Sequence, residues 1–101
     1  MKIELSVINL NTPIDKYSYS MEGFYHNDKE LVIENKLSKI TNLISMTSSW
    51  EKTTINNIEN GFIVSLKLGE TFQTFNFTNS KQPDNFMSFI HEVKRLTLEE
   101  K

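Results

Sequence analysis

Two imidazoles, His26 and His91, are the only ones in the chain, and they limit the metal chemistry it could perform. A zinc-hydrolase helix carries His, then Glu, then a second His four residues after the first. Here His91-Glu92 is followed at that position by Arg95. His91 falls outside the apolar stripe of its segment and joins Ser88, Glu92 and Arg95 on a polar arc, so a solvated face is its expected setting. Carboxylate pairs such as Glu51 with Glu59, or Asp84 with Glu92, would act as acid and base only if held roughly 5–10 Å apart across a cleft, with one of them buried. A chain of 101 residues with one helical layer leaves little depth for such a cleft. Serines are frequent, but none sits in a Gly-x-Ser-x-Gly elbow, and three glycines form no phosphate cradle. Cysteine is absent, which removes disulfides, zinc-thiolate clusters and thiol nucleophiles. The chain is therefore expected not to be an enzyme and to need no cofactor and no metal.

Charge narrows the partners. Ten of the eleven basic residues are Lys, none gathers into a run, and the net charge is -2, so a phosphate-binding surface for nucleic acid is disfavoured. The opening residues Met1 to Leu10 place Glu4, Ser6 and Asn9 among the apolar positions and have no secretory pattern, and no apolar run is long enough to span a bilayer. A cytoplasmic protein without membrane contact is the expectation. Asn76-Phe77-Thr78 spells a glycosylation acceptor, but without export it reads as the end of a Thr-rich strand.

The elements that must position any site follow from periodicity. Ile3, Leu5 and Val7 alternate with Glu4 and Ser6, predicting a strand over about Lys2 to Leu10, and Asn11-Thr12-Pro13 breaks it. Tyr17, Tyr19 and Met21 alternate with Lys16, Ser18, Ser20 and Glu22 in a second strand that Gly23 interrupts. Asn27-Asp28-Lys29-Glu30 has capping-box spacing and predicts a helix start, with Ile33, Leu37, Ile40 and Ile44 as its apolar stripe. The helix is predicted from Lys36 to Met46, whereas Leu31 to Glu34 reads either as its first turn or as a short strand returning onto Tyr17 to Met21. Asn60-Gly61 predicts a type I′ hairpin joining a strand that begins near Lys52 to Phe62–Leu68, and Gly69-Glu70 a second tight turn into Phe72–Phe77. Pro83 and Asp84 open a last helix with Phe86, Phe89, Ile90, Val93 and Leu96 on one face. The expected fold is a single α+β domain over 1–101, an antiparallel sheet of about five strands in the order β-β-α-β-β-β-α with two helices on one face.

With catalysis disfavoured, large aromatics near turns become the candidates for contact. Tyr17, Tyr19, Phe24 and Tyr25, with acidic Glu22, Asp28 and Glu30 close by, are the expected partner-binding residues, the strand of Tyr17 and Tyr19 being read as an edge. For Phe24, and likewise for Trp50, core packing competes with this role. An acidic rim would steer the protein onto a basic active site. Alanine is absent, Gly, Pro and Arg are scarce, and Asn, Ile, Lys and Phe are common, the signature of an AT-rich gene. Small size, mild acidity, no cysteine and this codon bias are similar in general character to bacterial immunity and inhibitor proteins, although no motif specifies a family. The expected function is accordingly a monomeric protein that neutralises a cognate toxin or enzyme by stoichiometric binding. The alternative is a homodimeric or small-ligand-binding domain that uses its exposed sheet face, with Phe72, Phe75 or Phe77 at the contact.

Overall fold

Alternation of apolar and polar residues drives the N-terminal half into strands, because each strand can bury one face while its backbone pairs with neighbours. The computed structural model describes residues 2–11, 13–51 and 60–98. In it, β1 (Ile3–Asn9), β2 (Asp15–Ser20), β3 (Gly23–His26) and β4 (Lys29–Leu31) precede α1 (Lys36–Met46), and β5 (Phe62–Leu68), β6 (Thr71–Phe77) and α2 (Phe86–Leu98) follow. All six strands join one antiparallel sheet in the order β4-β3-β2-β1-β5-β6. The α+β class and the antiparallel sheet are as expected, with six strands in place of about five.

Two sequence expectations are corrected. Asn27 and Asp28 start no helix: both hold positive φ (50° and 69°) in the two-residue loop between β3 and β4. Two successive positive φ values make a type I′ turn, which Asn and Asp tolerate. Leu31 thus ends a strand that pairs with β3, opposite Phe24, and not with Tyr17 to Met21. The strand expected to begin near Lys52 falls largely on residues 52–59, which lie outside the described residues. The edge of β5 that the Asn60-Gly61 hairpin required is held by β1 over the whole length of the strand, Ile3 facing Leu68 and Asn9 facing Phe62.

Helix α1 occupies the predicted span. Asn35 precedes it in a left-handed conformation (φ 56°, ψ 49°) and makes no side-chain cap bond. Its buried residues are Ile40 and Leu43, whereas Leu37 is exposed and Ile33 is buried ahead of the helix. In α2 the stripe Phe86, Phe89, Ile90, Val93 and Leu96 is buried as its spacing predicts. The first turn is set when Phe86 N–H donates to the Pro83 carbonyl at 3.0 Å. Both helices cover the sheet face of Leu5, Val7, Tyr19, Val64, Leu66 and Phe75, and these residues form one core. No helix among the described residues is long and apolar enough to cross a membrane.

Tyr19 is fully buried in that core, edge-on to Phe24 at 4.8 Å, and its hydroxyl has no hydrogen-bond partner among the described residues. Burial, and secondarily Tyr17, pushes the Tyr19 phenol far above its ordinary pKa. Tyr17 is raised by burial and then by the negative charge of Asp15. The unfolded chain ionises these phenols near pH 10 while the native state keeps them protonated. These two phenols therefore add no pH dependence below about pH 10, and above it stability falls by about 1.4 kcal/mol per pH unit for each phenol still protonated in the native state. Tyr19→Phe is expected to be neutral or to stabilise by up to about 1 kcal/mol at neutral pH, because it removes a buried unpaired hydroxyl. It should also remove the larger part of the alkaline loss that the two phenols cause, because Tyr19 is the more deeply buried of them. Urea midpoints at neutral and alkaline pH check both; a loss above about 2 kcal/mol at neutral pH would show that the hydroxyl is satisfied in the native protein.

Candidate functional site

The seven residues expected to contact a partner do not share a surface. β2 is no edge, since β1 and β3 flank it, and its odd-numbered side chains point under the helices. Tyr17, Tyr19 and Phe24 are consequently core residues that a partner cannot touch. Glu22 is exposed in the β2–β3 turn and Asp28 in the β3–β4 turn, at opposite ends of β3, so no single acidic rim forms. Tyr25 and Glu30 remain, directly opposite each other on β3 and β4 and both exposed. Phe75 and Phe77, contact candidates of the alternative reading, are buried, whereas Phe72 is 65% exposed.

A polar clasp that sequence reasoning missed closes the β3–β4 hairpin onto β2. Asp15 Oδ1 lies 3.2 Å from His26 Nε2 and accepts from Asn27 Nδ2 at 3.1 Å. Asn27 Oδ1 accepts from the Lys16 amide, and the Asn27 amide donates to the Lys16 carbonyl, both at 2.8 Å. The His26 ring stacks on Tyr17 at 4.5 Å with 5° between planes. An imidazole bonded to a carboxylate is half of a base-and-orienter pair. Here the same Nε2 faces Asn27 at 3.5 Å as well, so the ring is held between the turn residue Asn27 and the β2 residues Asp15 and Tyr17, and the arrangement acts as a structural fastening of β3 and its turn onto β2. The only available signal was the Asn-Asp pair, whose turn and capping readings share the same residues.

Trp50 is the centre of the second feature. Its ring lies 4.9–5.6 Å from those of Phe75, Phe77, Phe86 and Phe89. Its Nε1 donates to Asn85 Oδ1 at 2.6 Å, and Asn85 Nδ2 donates to the Met46 carbonyl at 2.7 Å, tying the end of α1 to the entrance of α2. A cleft of about 560 Å³ beside it is lined by Glu51, Thr78, Lys81 and Gln82 over an aromatic floor of Trp50 and Phe77. Between the helices, Asn42, Met46, Met87 and His91 line a broader groove, where Glu92 pairs with Arg95 at 2.9 Å.

The third feature is the sheet face away from the helices. Cross-strand pairing aligns Tyr25, Ser18, Ser6, Ser65 and Thr74 in one row over five strands. The adjoining row is Gly23, Ser20, Glu4, Lys67 and Phe72. A depression of about 220 Å³ lies across them, with Phe72 on its border. Each serine alone reads as the polar half of an alternating strand; their alignment depends on which strands are neighbours. No family model, curated protein or solved structure matches the chain.

Proposed function

We propose that this chain is a stoichiometric protein-binding protein acting in the cytoplasm, in the manner of a bacterial immunity or inhibitor protein that occludes a cognate toxin or enzyme, and that it engages its partner through the helix-free face of the sheet. One observation carries this reading: a level row of four small hydroxyl side chains, Ser18, Ser6, Ser65 and Thr74, bordered by the exposed aromatics Tyr25 and Phe72. Serine and threonine donate and accept hydrogen bonds and lose little entropy on contact. Rigid aromatic rings supply apolar area, a division of labour that suits recognition of another protein's surface. Glu30 beside Tyr25 adds negative charge at that border, where it favours approach by a basic partner. The depression on this face is small, about 220 Å³, which suits contact with another protein's surface better than enclosure of a substrate.

Affinity capture from the native strain with the tagged chain is expected to return one specific protein in a 1:1 complex. Tyr25→Ala and Phe72→Ala should each weaken that complex by about tenfold or more, as loss of an aromatic anchor does. Failure to capture any specific protein, or full affinity in both variants, would remove this reading.

A further inference from the structure

The two edges of the sheet are built differently. The β4 edge is three residues long and exposes Lys29 and Glu30, with Asp28 next to it. Shortness and charge are the usual means by which a sheet edge is kept from pairing with another chain. β6 has neither. Its seven residues, Thr-Phe-Gln-Thr-Phe-Asn-Phe, contain no charge, no Pro and no Gly, and among the described residues β5 is its only strand partner. Phe72 stands 65% exposed near its start. A long uncharged strand rich in aromatic and β-branched residues at a sheet edge is the kind of segment that adds to another strand.

We propose that β6 pairs with β6 of a second copy of this chain, antiparallel over Thr71–Phe77 about a two-fold axis at Thr74, so that two sheets merge edge to edge. The strand is self-complementary in this register. Thr74 meets its own copy, Phe72 faces the partner's Asn76, and Gln73 faces the partner's Phe75, each pair lying on one side of the sheet. No like charges come opposite each other, which two copies of the β4 edge would not achieve. A two-fold axis perpendicular to the sheet keeps both helical layers on one side and leaves the serine face of both copies uncovered. The proposal therefore stands whether or not that face binds a partner.

Since the chain contains no cysteine, a single introduced thiol tests the geometry directly. In an antiparallel pair, directly opposite Cβ atoms lie about 4.5–5.5 Å apart, close enough for a disulfide with slight adjustment. Thr74→Cys is expected to give a covalent dimer on mild oxidation, while Ser18→Cys, exposed within the sheet on β2, stays monomeric. Light scattering during gel filtration should find the wild-type chain dimeric at high concentration. Thr74→Glu, which sets two carboxylates face to face, should weaken the dimer by at least about tenfold with unchanged circular dichroism. A wild-type monomer at every concentration, a dimer that Thr74→Glu leaves intact, or a Thr74→Cys chain that links no better than Ser18→Cys overturns the proposal.

Discussion

Replacing Trp50 with alanine is expected to destabilise the protein by about 3–5 kcal/mol, the range for deleting a large buried aromatic from a packed core. The physical reason is the position of the ring. It meets Phe75 and Phe77 from the sheet and Phe86 and Phe89 from α2, three of them in edge-to-face geometry with planes 70–90° apart. No single neighbour can collapse into the space that four rings enclose, so the cavity persists. The truncation also strips Asn85 Oδ1 of its indole donor, loosening the link through Met46 between the two helices. Domains are commonly stable by about 5–15 kcal/mol, so this one change removes a large share. Trp50→Phe, which keeps most of the ring contacts and loses the N–H donor, should cost clearly less. Urea unfolding followed by circular dichroism measures both, since the variants lack the only tryptophan. Equal costs for the two would mean that the hydrogen bond, and not ring packing, dominates at this position.

The second large effect lies at Gly61. Its φ is 129°, and a β-carbon there would sit 2.1 Å from the Phe77 carbonyl oxygen and 3.0 Å from the Thr78 α-carbon. Those atoms are backbone of the last residue of β6 and of the residue after it, and the Gly61 carbonyl on the other side accepts from the Leu10 amide at 2.8 Å. Alanine can be accommodated only by prising the start of β5 away from the end of β6, where Phe62 faces Phe77. Gly61→Ala is expected to cost about 2–4 kcal/mol, combining backbone strain with a broken strand register. Gly23→Ala is the natural comparison: its added carbon would meet the Tyr25 ring at 3.0 Å, and that ring belongs to an exposed side chain free to swing aside. It should cost below about 1 kcal/mol. A Gly61→Ala protein as stable as the Gly23→Ala protein would show that β5 and β6 separate there at little cost.

Gly61 illustrates what could and could not be read in advance. Asn60-Gly61 is a hairpin signal, and the need for glycine is real, but the cause is a close approach to β6 and not a turn back from a preceding strand. Hairpin rules assume that strands adjacent in sequence pair. β5 instead takes β1 from the far end of the chain, a pairing between segments distant in sequence that no local rule specifies. Asn27-Asp28 shows a related limit. The same polar residues suit a capping box and a type I′ turn, and the arbiter is whether Leu31 is buried by a strand at its side or by a helix periodicity beneath it. The Gly69-Glu70 turn, by contrast, was legible because the strands on either side of it do pair with each other.

Residue order alone determined the α+β class, the span of α1, the buried stripe of α2 and the inward side of β1 and β5. Those properties follow from periods of two and 3.6 residues that any short segment carries by itself. Only the assembled sheet decided that β2 is interior, that Tyr17 and Tyr19 are hidden, that four hydroxyl residues from four strands align beside Tyr25, and that β6 stands at one edge. A strand's neighbours, and hence which of its groups meet water, depend on contacts between segments far apart in the chain, and no local pattern encodes them.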